Sequence, residues 1–267
     1  MLVVLAGGGL SGFLSAIPAY RALAWGYRRH RRVLLCDAAL LPLVPYVAAF
    51  EDAVAIESGG SPPERLHGPA IAVNLHGRGP WSHRFLLALR PQRLIAYAHP
   101  SVAESRQGAT WRARESDRAR WCRLLTAYGL AVDPDDGDLI PPARPVPRFV
   151  RGATLMHPGA TRLAERLPAP HWSALAQAER EAGRSVIVTG GPHEVSLAAQ
   201  VAAGAALMPE RVFAGRISTL DLAALVAASN HVLTSDAGMG QLAMALRKPW
   251  LRPHAIPSPA SSAASAA

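Results

Sequence analysis

Short apolar runs alternate along this chain with longer stretches in which apolar residues return every three or four positions. The runs at residues 3–6, 32–36, 71–75 and 93–96 have the length and continuity of buried strands, and the stretches at 15–25 and 111–128 have the period of helices. Pro18 fits a helix that opens late, near Ile17, because proline is accepted in a first turn and not deeper. The pattern then stops. Asp133-Pro134-Asp135-Asp136-Gly137-Asp138 is followed by Pro141-Pro142-Ala143-Arg144-Pro145-Val146-Pro147, a proline density that neither a helix nor a central strand tolerates. Beyond it the alternation resumes, with strands predicted at 153–156, 185–189, 211–213 and 231–234 and helices at 171–182, 195–203, 220–228 and 239–246.

Strands alternating with helices give parallel sheets covered on both faces, here once in each half. The expected fold class is α/β, with a Rossmann-like, doubly wound domain over residues 1–132 and a Pro/Asp-rich linker at 133–150. A second such domain is expected over 151–250, and a disordered Ser/Ala-rich tail at 251–267. The two domains are expected to face each other across a cleft, and open sheets of this kind bind ligands beyond the carboxyl ends of their strands.

Candidate chemistry sits at those ends. Gly7-Gly8-Gly9-Leu10-Ser11-Gly12 joins a strand to a helix and satisfies G-x-G-x-x-G, with Asp37 closing the next apolar run. That layout lets backbone N–H groups approach a pyrophosphate, so an NAD- or FAD-linked oxidoreductase is one reading, and a tight turn in an Ala/Gly-rich chain is the other. After the run at 71–75, Asn74, His76 and Arg78 stand among glycines, either as ligands for sugar hydroxyls or a phosphate or as parts of a solvated loop. In the second half three strands end in Gly-rich, hydroxyl-bearing turns: Met156-His157-Pro158-Gly159-Ala160-Thr161, Val188-Thr189-Gly190-Gly191-Pro192-His193-Glu194, and Leu233-Thr234-Ser235-Asp236-Ala237-Gly238. The last opens a helix whose first N–H groups would favour a diphosphate, although Asp236 also suits a plain helix cap. Glu194 has the chemistry to accept from ribose hydroxyls. Three such turns on one sheet edge point to a nucleotide site.

Composition narrows the classes. With 267 residues and half of them hydrophobic, the chain supports sizeable cores and is no small stapled module. Its net charge of +9 divides as +6 for residues 1–150 (18 basic, 12 acidic) and +3 thereafter (10 basic, 7 acidic). All but one of the 28 basic residues are arginine, the exception being Lys248. The excess suits a phosphorylated or membrane-borne acceptor, and without a basic stripe interleaved with aromatics it does not suggest nucleic acid. Cys36 and Cys122 match no metal or redox spacing, no ligand cluster implies a metal, and no apolar run reaches the roughly 18 residues of a membrane span. The apolar start, cut short at Gly7, reads as a buried strand rather than a signal peptide.

From Leu10 to Pro249 the chain resembles glycosyltransferase family 9, the heptosyltransferases of the ADP-heptose–lipopolysaccharide type. The resemblance rests on Gly9-Leu10-Ser11-Gly12-Phe13-Leu14-Ser15-Ala16-Ile17-Pro18-Ala19, the loop at 74–82, His157-Pro158-Gly159-Ala160, and Leu167-Pro168-Ala169-Pro170-His171-Trp172. It continues through Thr189-Gly190-Gly191-Pro192-His193-Glu194 and Ser235-Asp236-Ala237-Gly238-Met239-Gly240-Gln241-Leu242-Ala243. It implies the GT-B fold and an inverting transfer from a nucleotide-diphosphate sugar, usually ADP-linked, to a hydroxyl on a glycan or lipid-linked acceptor, with no further cofactor. The C-terminal domain would hold the donor and the N-terminal domain the acceptor. By motif position, Thr161 and Arg166 would face phosphate, Glu194 the ribose and Ile217 the adenine. Asp236, Ala237 and Gly238 would meet the diphosphate with Gln241 beside them, while Ser11, Asn74, His76 and Arg78 would contact the acceptor.

Three places in the chain, four residues in all, depart from the family pattern. Ser11-Gly12 stands where the family has a Gly-Asp pair whose Asp is its presumed base, Glu165 stands in place of a Lys near the diphosphate, and Gln241 replaces a His. The family also continues beyond Lys248-Pro249-Trp250 with a strand, a Gly-Pro turn and a returning helix, so a truncated or frame-shifted second domain is expected. The alternative reading is therefore a catalytically impaired relative that binds a glycan, a nucleotide or a partner. Either reading places the protein in the cytoplasm, with peripheral contact at the inner membrane face where the acceptor is lipid-borne.

Overall fold

The first apolar run becomes strand β1, Leu2–Ala6, buried along its whole length because it lies at the centre of a parallel sheet. The computed structural model describes residues 1–57, 59–160 and 166–253. They fall into two units, the first comprising Met1–Ala143, Ser218–Ala223 and Met244–Arg247, and the second Arg144–Ile217, Ala224–Ala243 and the segment from Lys248.

In the first unit the chain runs from β1 through helices α1 (Gly9–Ser15) and α2 (Ile17–Gly26) to β2 (Arg32–Cys36). It continues through α3 (Val44–Val47), β3 (Asp52–Ala55), β4 (Ile71–Leu75), α4 (Pro80–Ala88), β5 (Arg93–Ile95) and α5 (Asp117–Ala127). The sheet is parallel throughout, in the order β3-β2-β1-β4-β5, so the winding reverses between β1 and β4. Val3, Leu5, Val33, Leu35 and Ala72 pack on Phe85 and Leu86 of α4, while the alternate residues Leu2, Val4 and Leu34 are equally buried. Pro18 occupies the second position of α2, where its missing N–H costs no bond, and α1 ends at the break before it.

In the second unit β6 (Thr154–His157), α6 (Ala169–Glu181), β7 (Val186–Val188) and α7 (Val195–Gly204) are followed by α8 (Thr219–Ala228), whose first five residues belong to the first unit, then β8 (His231–Thr234), α9 (Ala237–Ala245), whose last two residues belong to the first unit, and β9 (Trp250–Leu251). The parallel order is β7-β6-β8-β9, and a single bridge from Val212 to Val188 extends it beyond β7. Trp172, fully buried, anchors this core against Met156, Val186, Val188, Ala198 and Val201. Both units are thus doubly wound α/β sheets, the fold class expected.

Several elements differ from their sequence patterns for local reasons. The helix expected from residue 111 begins at Asp117, where Ser116 Oγ accepts from the Ala119 N–H at 3.3 Å. Trp111 instead stacks edge-on to Tyr97 (5.3 Å between centroids) beneath the Arg120 guanidinium (4.2 Å). The polar stretch after β4 is mostly helix, because Pro80 starts α4 after the Gly79 cap and Ser82 and His83 turn inward, which masks the helical period. The strand expected at 211–213 contracts to the Val212 bridge, β9 lacks the apolar run that would predict it, and β3 has only the short, alanine-diluted run Ala53-Val54-Ala55-Ile56. Residues 133–147 form no helix or strand, and Arg21 anchors them through the Asp138 carbonyl (2.6 Å) and an ion pair with Asp136. Of the expected tail, Leu251 completes β9 and residues 254–267 lie outside the described residues. Among the described residues no helix is long and apolar enough to cross a membrane.

Candidate functional site

Register brings the carboxyl ends of the second unit's strands together: Met156 lies beside Val188, and His157 beside Thr234. Two threonines, each just at or past a strand end, tie the turns to one another. Thr234 Oγ1 donates to the His157 carbonyl (3.1 Å) and accepts from the Asp236 N–H (3.0 Å). Thr189 Oγ1 lies 3.2 Å from the Met156 carbonyl and 3.0 Å from His157 Nδ1. Buried hydroxyls so paired fix the three turns without charge.

Glu194 joins the first two turns. Its Oε2 accepts from the Gly191 N–H at 2.7 Å and lies 3.5 Å from His157 Nε2. Its carboxylate occupies the space where a side chain at Gly159 would start, since a Cβ built there would sit 1.8 Å from Oε1. A glycine at 159 is therefore what allows the acid to reach this edge. Burial holds His157 below the ordinary histidine range, with Glu194 and Asp236 opposing that shift, so the ring is neutral at pH 7. Of the two ring nitrogens, Nε2 faces Glu194 and Nδ1 faces Thr189 Oγ1, whose own proton goes to the Met156 carbonyl.

At the third turn Asp236 Oδ1 accepts from the Met239 N–H (3.0 Å), the geometry of an N-terminal cap on α9. Ala237 and Gly238 open that helix, where the first N–H groups have no intrahelical acceptor. Two buried polar atoms flank the opening without a hydrogen-bond partner among the described residues, Ser235 Oγ and Gln241 Oε1. Other buried polar atoms among the described residues are likewise unpartnered, Tyr20 Oη and Trp121 Nε1 among them, so Ser235 and Gln241 draw their interest from lying at a helix opening. A side chain at Gly240 would meet the Trp250 ring at 3.0 Å, so the glycine leaves room for Trp250 of β9 beside α9. Arg166 donates from Nε to the Ala160 carbonyl (2.9 Å), which tethers its guanidinium beside the first turn. Ile217, half-buried, follows Gly215, whose N–H bonds the Gly190 carbonyl (3.0 Å) and whose φ of +69° demands glycine. Glu194, Ile217, Arg166 and Asp236 thus lie in the segments that follow one edge of the sheet, with Ala237, Gly238 and Gln241 in the first turns of α9 beside them. Thr161 and Glu165 lie outside the described residues.

The first unit places its candidates differently. Gly12 is buried, and a Cβ on it would lie 3.1 Å from the Gly7 carbonyl carbon, so these two glycines serve the close approach of α1 to the β1 turn. Ser11 beside it is half-buried. Asn74 is buried, and its amide is taken up by its own loop: Oδ1 accepts from the His76 and Gly77 N–H groups (3.0 and 3.4 Å) while Nδ2 donates to Ser82 Oγ (2.9 Å). That loop presents His76 against Trp81, 5.2 Å between centroids, and leaves Arg78 exposed. Burial lowers the His76 pKa below the usual histidine value, and burial with Asp37 nearby pushes the Cys36 thiol up to about 12, which removes it as a nucleophile. The sequence marks Thr189 and Thr234 as hydroxyls in the strand-end turns and Trp81 as part of the loop at 74–82, without assigning any of the three a role. The available signal for the threonines is a hydroxyl residue closing an apolar run immediately before a Gly- or Asp-containing turn.

A family model described as glycosyltransferase family 9 (heptosyltransferase) matches residues 125–252. Among solved structures, E. coli ADP-heptose lps heptosyltransferase II is 20% identical, with 94% of this chain and 83% of that one covered and a TM-score of 0.69. A family 9 glycosyl transferase from Veillonella parvula is 14% identical, with 94% and 79% covered and a TM-score of 0.78. E. coli heptosyltransferase WaaC, solved with ADP, is 15% identical, with 97% and 88% covered and a TM-score of 0.72. No curated protein matches the chain in sequence. The chain is heptosyltransferase-like, with the sequence pattern of glycosyltransferase family 9 over residues 125–252 and the GT-B fold.

Proposed function

We propose that this protein is a glycosyltransferase that binds a nucleotide-diphosphate sugar, ADP-linked, at the carboxyl edge of its second sheet and transfers the sugar with inversion to a hydroxyl of a glycan or lipid-linked acceptor. The observation that carries the reading is the opening of α9, where the Ala237 and Gly238 N–H groups, which have no intrahelical acceptor, lie beside Ser235 Oγ and Gln241 Oε1, both unpartnered among the described residues. Diphosphate oxygens are acceptors and would take up the N–H and hydroxyl donors, and the Gln241 amide can turn its NH2 toward them. Glu194, held by Gly191, has one oxygen left for ribose hydroxyls, Ile217 offers an apolar face to the base, and Thr161 and Arg166 would meet the phosphates. The solved neighbour that holds ADP supports the same nucleotide here. No resident cofactor or metal is invoked.

In the reaction, the acceptor oxygen forms a bond to the anomeric carbon as the bond from that carbon to the diphosphate oxygen breaks. The nucleoside diphosphate leaves, and the acceptor proton passes to a base. Gly12 supplies no such base. The crowding of Gly12 against Gly7 favours a second reading, a relative that binds donor and acceptor without efficient turnover. Calorimetry with ADP and an ADP-sugar, followed by a transfer assay on the same preparation, separates the readings. Saturable binding with turnover supports transfer, binding without turnover supports the second reading, and no binding up to millimolar concentration defeats both.

A further inference from the structure

The first unit carries a pocket of about 290 Å³ at the carboxyl ends of β1, β2, β3 and β4, spanning the point where the winding of the sheet reverses. Its lining has a definite chemistry. Asp37 and Glu57 follow the paired ends of β2 and β3, where Cys36 lies beside Ala55, and the rings of His76 and Trp81, in contact and tilted 60° to one another, form the wall contributed from beyond β4. Gly7 and Gly8 leave the β1 turn without side chains. Among the described residues no arginine or lysine lines it, although residues 1–150 carry a net +6.

We propose that this pocket is a site for one uncharged sugar ring. Its volume falls just below the roughly 300–1,000 Å³ that ligand pockets span, which suits a monosaccharide and not a dinucleotide. Carboxylates are acceptors only and take hydrogen bonds from hydroxyls. An aromatic pair offers a face to the C–H side of a pyranose. Asp37 uses Oδ1 to hold the Ala39 N–H at 2.9 Å, which fixes the carboxylate and leaves its second oxygen for a ligand. A phosphorylated sugar or a pyrophosphate would meet two carboxylates and no cation, so the pocket selects against the anionic partner that the overall charge suggests. Resting on the transferase reading, the ring is the terminal residue of the acceptor.

The test uses the full chain and saturation-transfer NMR with methyl α-D-mannopyranoside, methyl β-D-glucopyranoside, D-glucose 6-phosphate and NAD+, with ADP titrated separately by calorimetry. At least one neutral glycoside is expected to bind with a millimolar Kd and glucose 6-phosphate at least fivefold more weakly. The near-isosteric double variant Asp37→Asn with Glu57→Gln is expected to weaken the glycoside at least fivefold, narrow or reverse its advantage over the phosphate, and leave ADP affinity unchanged. Asp37→Asn can still accept from Ala39, so folding is preserved, and a matching thermal midpoint checks it. The proposal is overturned if no neutral glycoside binds, if glucose 6-phosphate or NAD+ binds more tightly than the glycosides, or if the double variant leaves glycoside affinity untouched. Glycoside binding without ADP binding would defeat the transferase reading and keep the ring site, and ADP binding without glycoside binding would do the reverse.

Discussion

Gly159→Ala isolates the packing of Glu194 into the turn after β6. A methyl group there would sit 1.8 Å from Glu194 Oε1, so the flexible acid must swing away and give up the 2.7 Å bond from the Gly191 N–H. Bonds to charged groups contribute about 1.5–3 kcal/mol. The alanine restricts the unfolded chain, which returns about 0.4–1 kcal/mol because position 159 is not in the left-handed region. The net expectation is a loss of about 0.5–2.5 kcal/mol, at roughly 2–4 °C in Tm for each kcal/mol, a decrease of a few degrees. ADP affinity should fall alongside, as it should in Glu194→Gln. A double-mutant cycle gives the decisive comparison. In a Glu194→Ala background the same methyl group meets no carboxylate, so Gly159→Ala should be neutral or slightly stabilising, with a coupling of about 1.5–3 kcal/mol from the lost bond. Equal destabilisation in both backgrounds would refute the reasoning, because the cost would then arise from something other than Glu194.

Other positions yield sharper or weaker effects. Gly12→Asp should cost about 1–3 kcal/mol in a urea or thermal melt through overpacking against Gly7, and it should not raise transfer activity. Asp236→Ala should cost about 1 kcal/mol as a lost cap on α9, with Asp236→Asn restoring most of it in the same melt. His157 is neutral when folded and takes up a proton near pH 6.5 when unfolded, so its contribution is intact above about pH 6.5 and is lost as pH falls below it. The urea midpoint should therefore fall between pH 7 and pH 5, less steeply in His157→Asn. Glu179 has its carboxyl held down by Arg184 and Thr154, so its contribution is present above about pH 4.5 and fades as pH drops further, an acid-limb loss that Glu179→Gln should remove.

How far the sequence disclosed this molecule follows from where its signals lie. The central strands were legible because both faces of each are covered, which makes Leu2–Ala6 and Ile71–Leu75 apolar without interruption. The carboxyl-edge turns of the second unit were legible because glycines and hydroxyls follow such runs directly. α4 was hidden because Ser82 and His83 face inward to bond one another's neighbours, which places polar residues where a helical pattern expects apolar ones. The role of Gly159 could not be read, since it depends on a side chain 35 positions later in the chain, at Glu194. Likewise the overall positive charge gave no hint that the pocket beside Trp81 is lined by two acids.

The account stands on the carboxyl edge of the second sheet as a nucleotide site, and hydrogen–deuterium exchange with and without saturating ADP addresses it most directly. ADP should slow exchange at residues 189–194 and 235–241, the segments that hold Glu194 and the opening of α9, and leave residues 7–12 unchanged. Protection confined to residues 7–12, or no protection at any concentration up to millimolar, would contradict it.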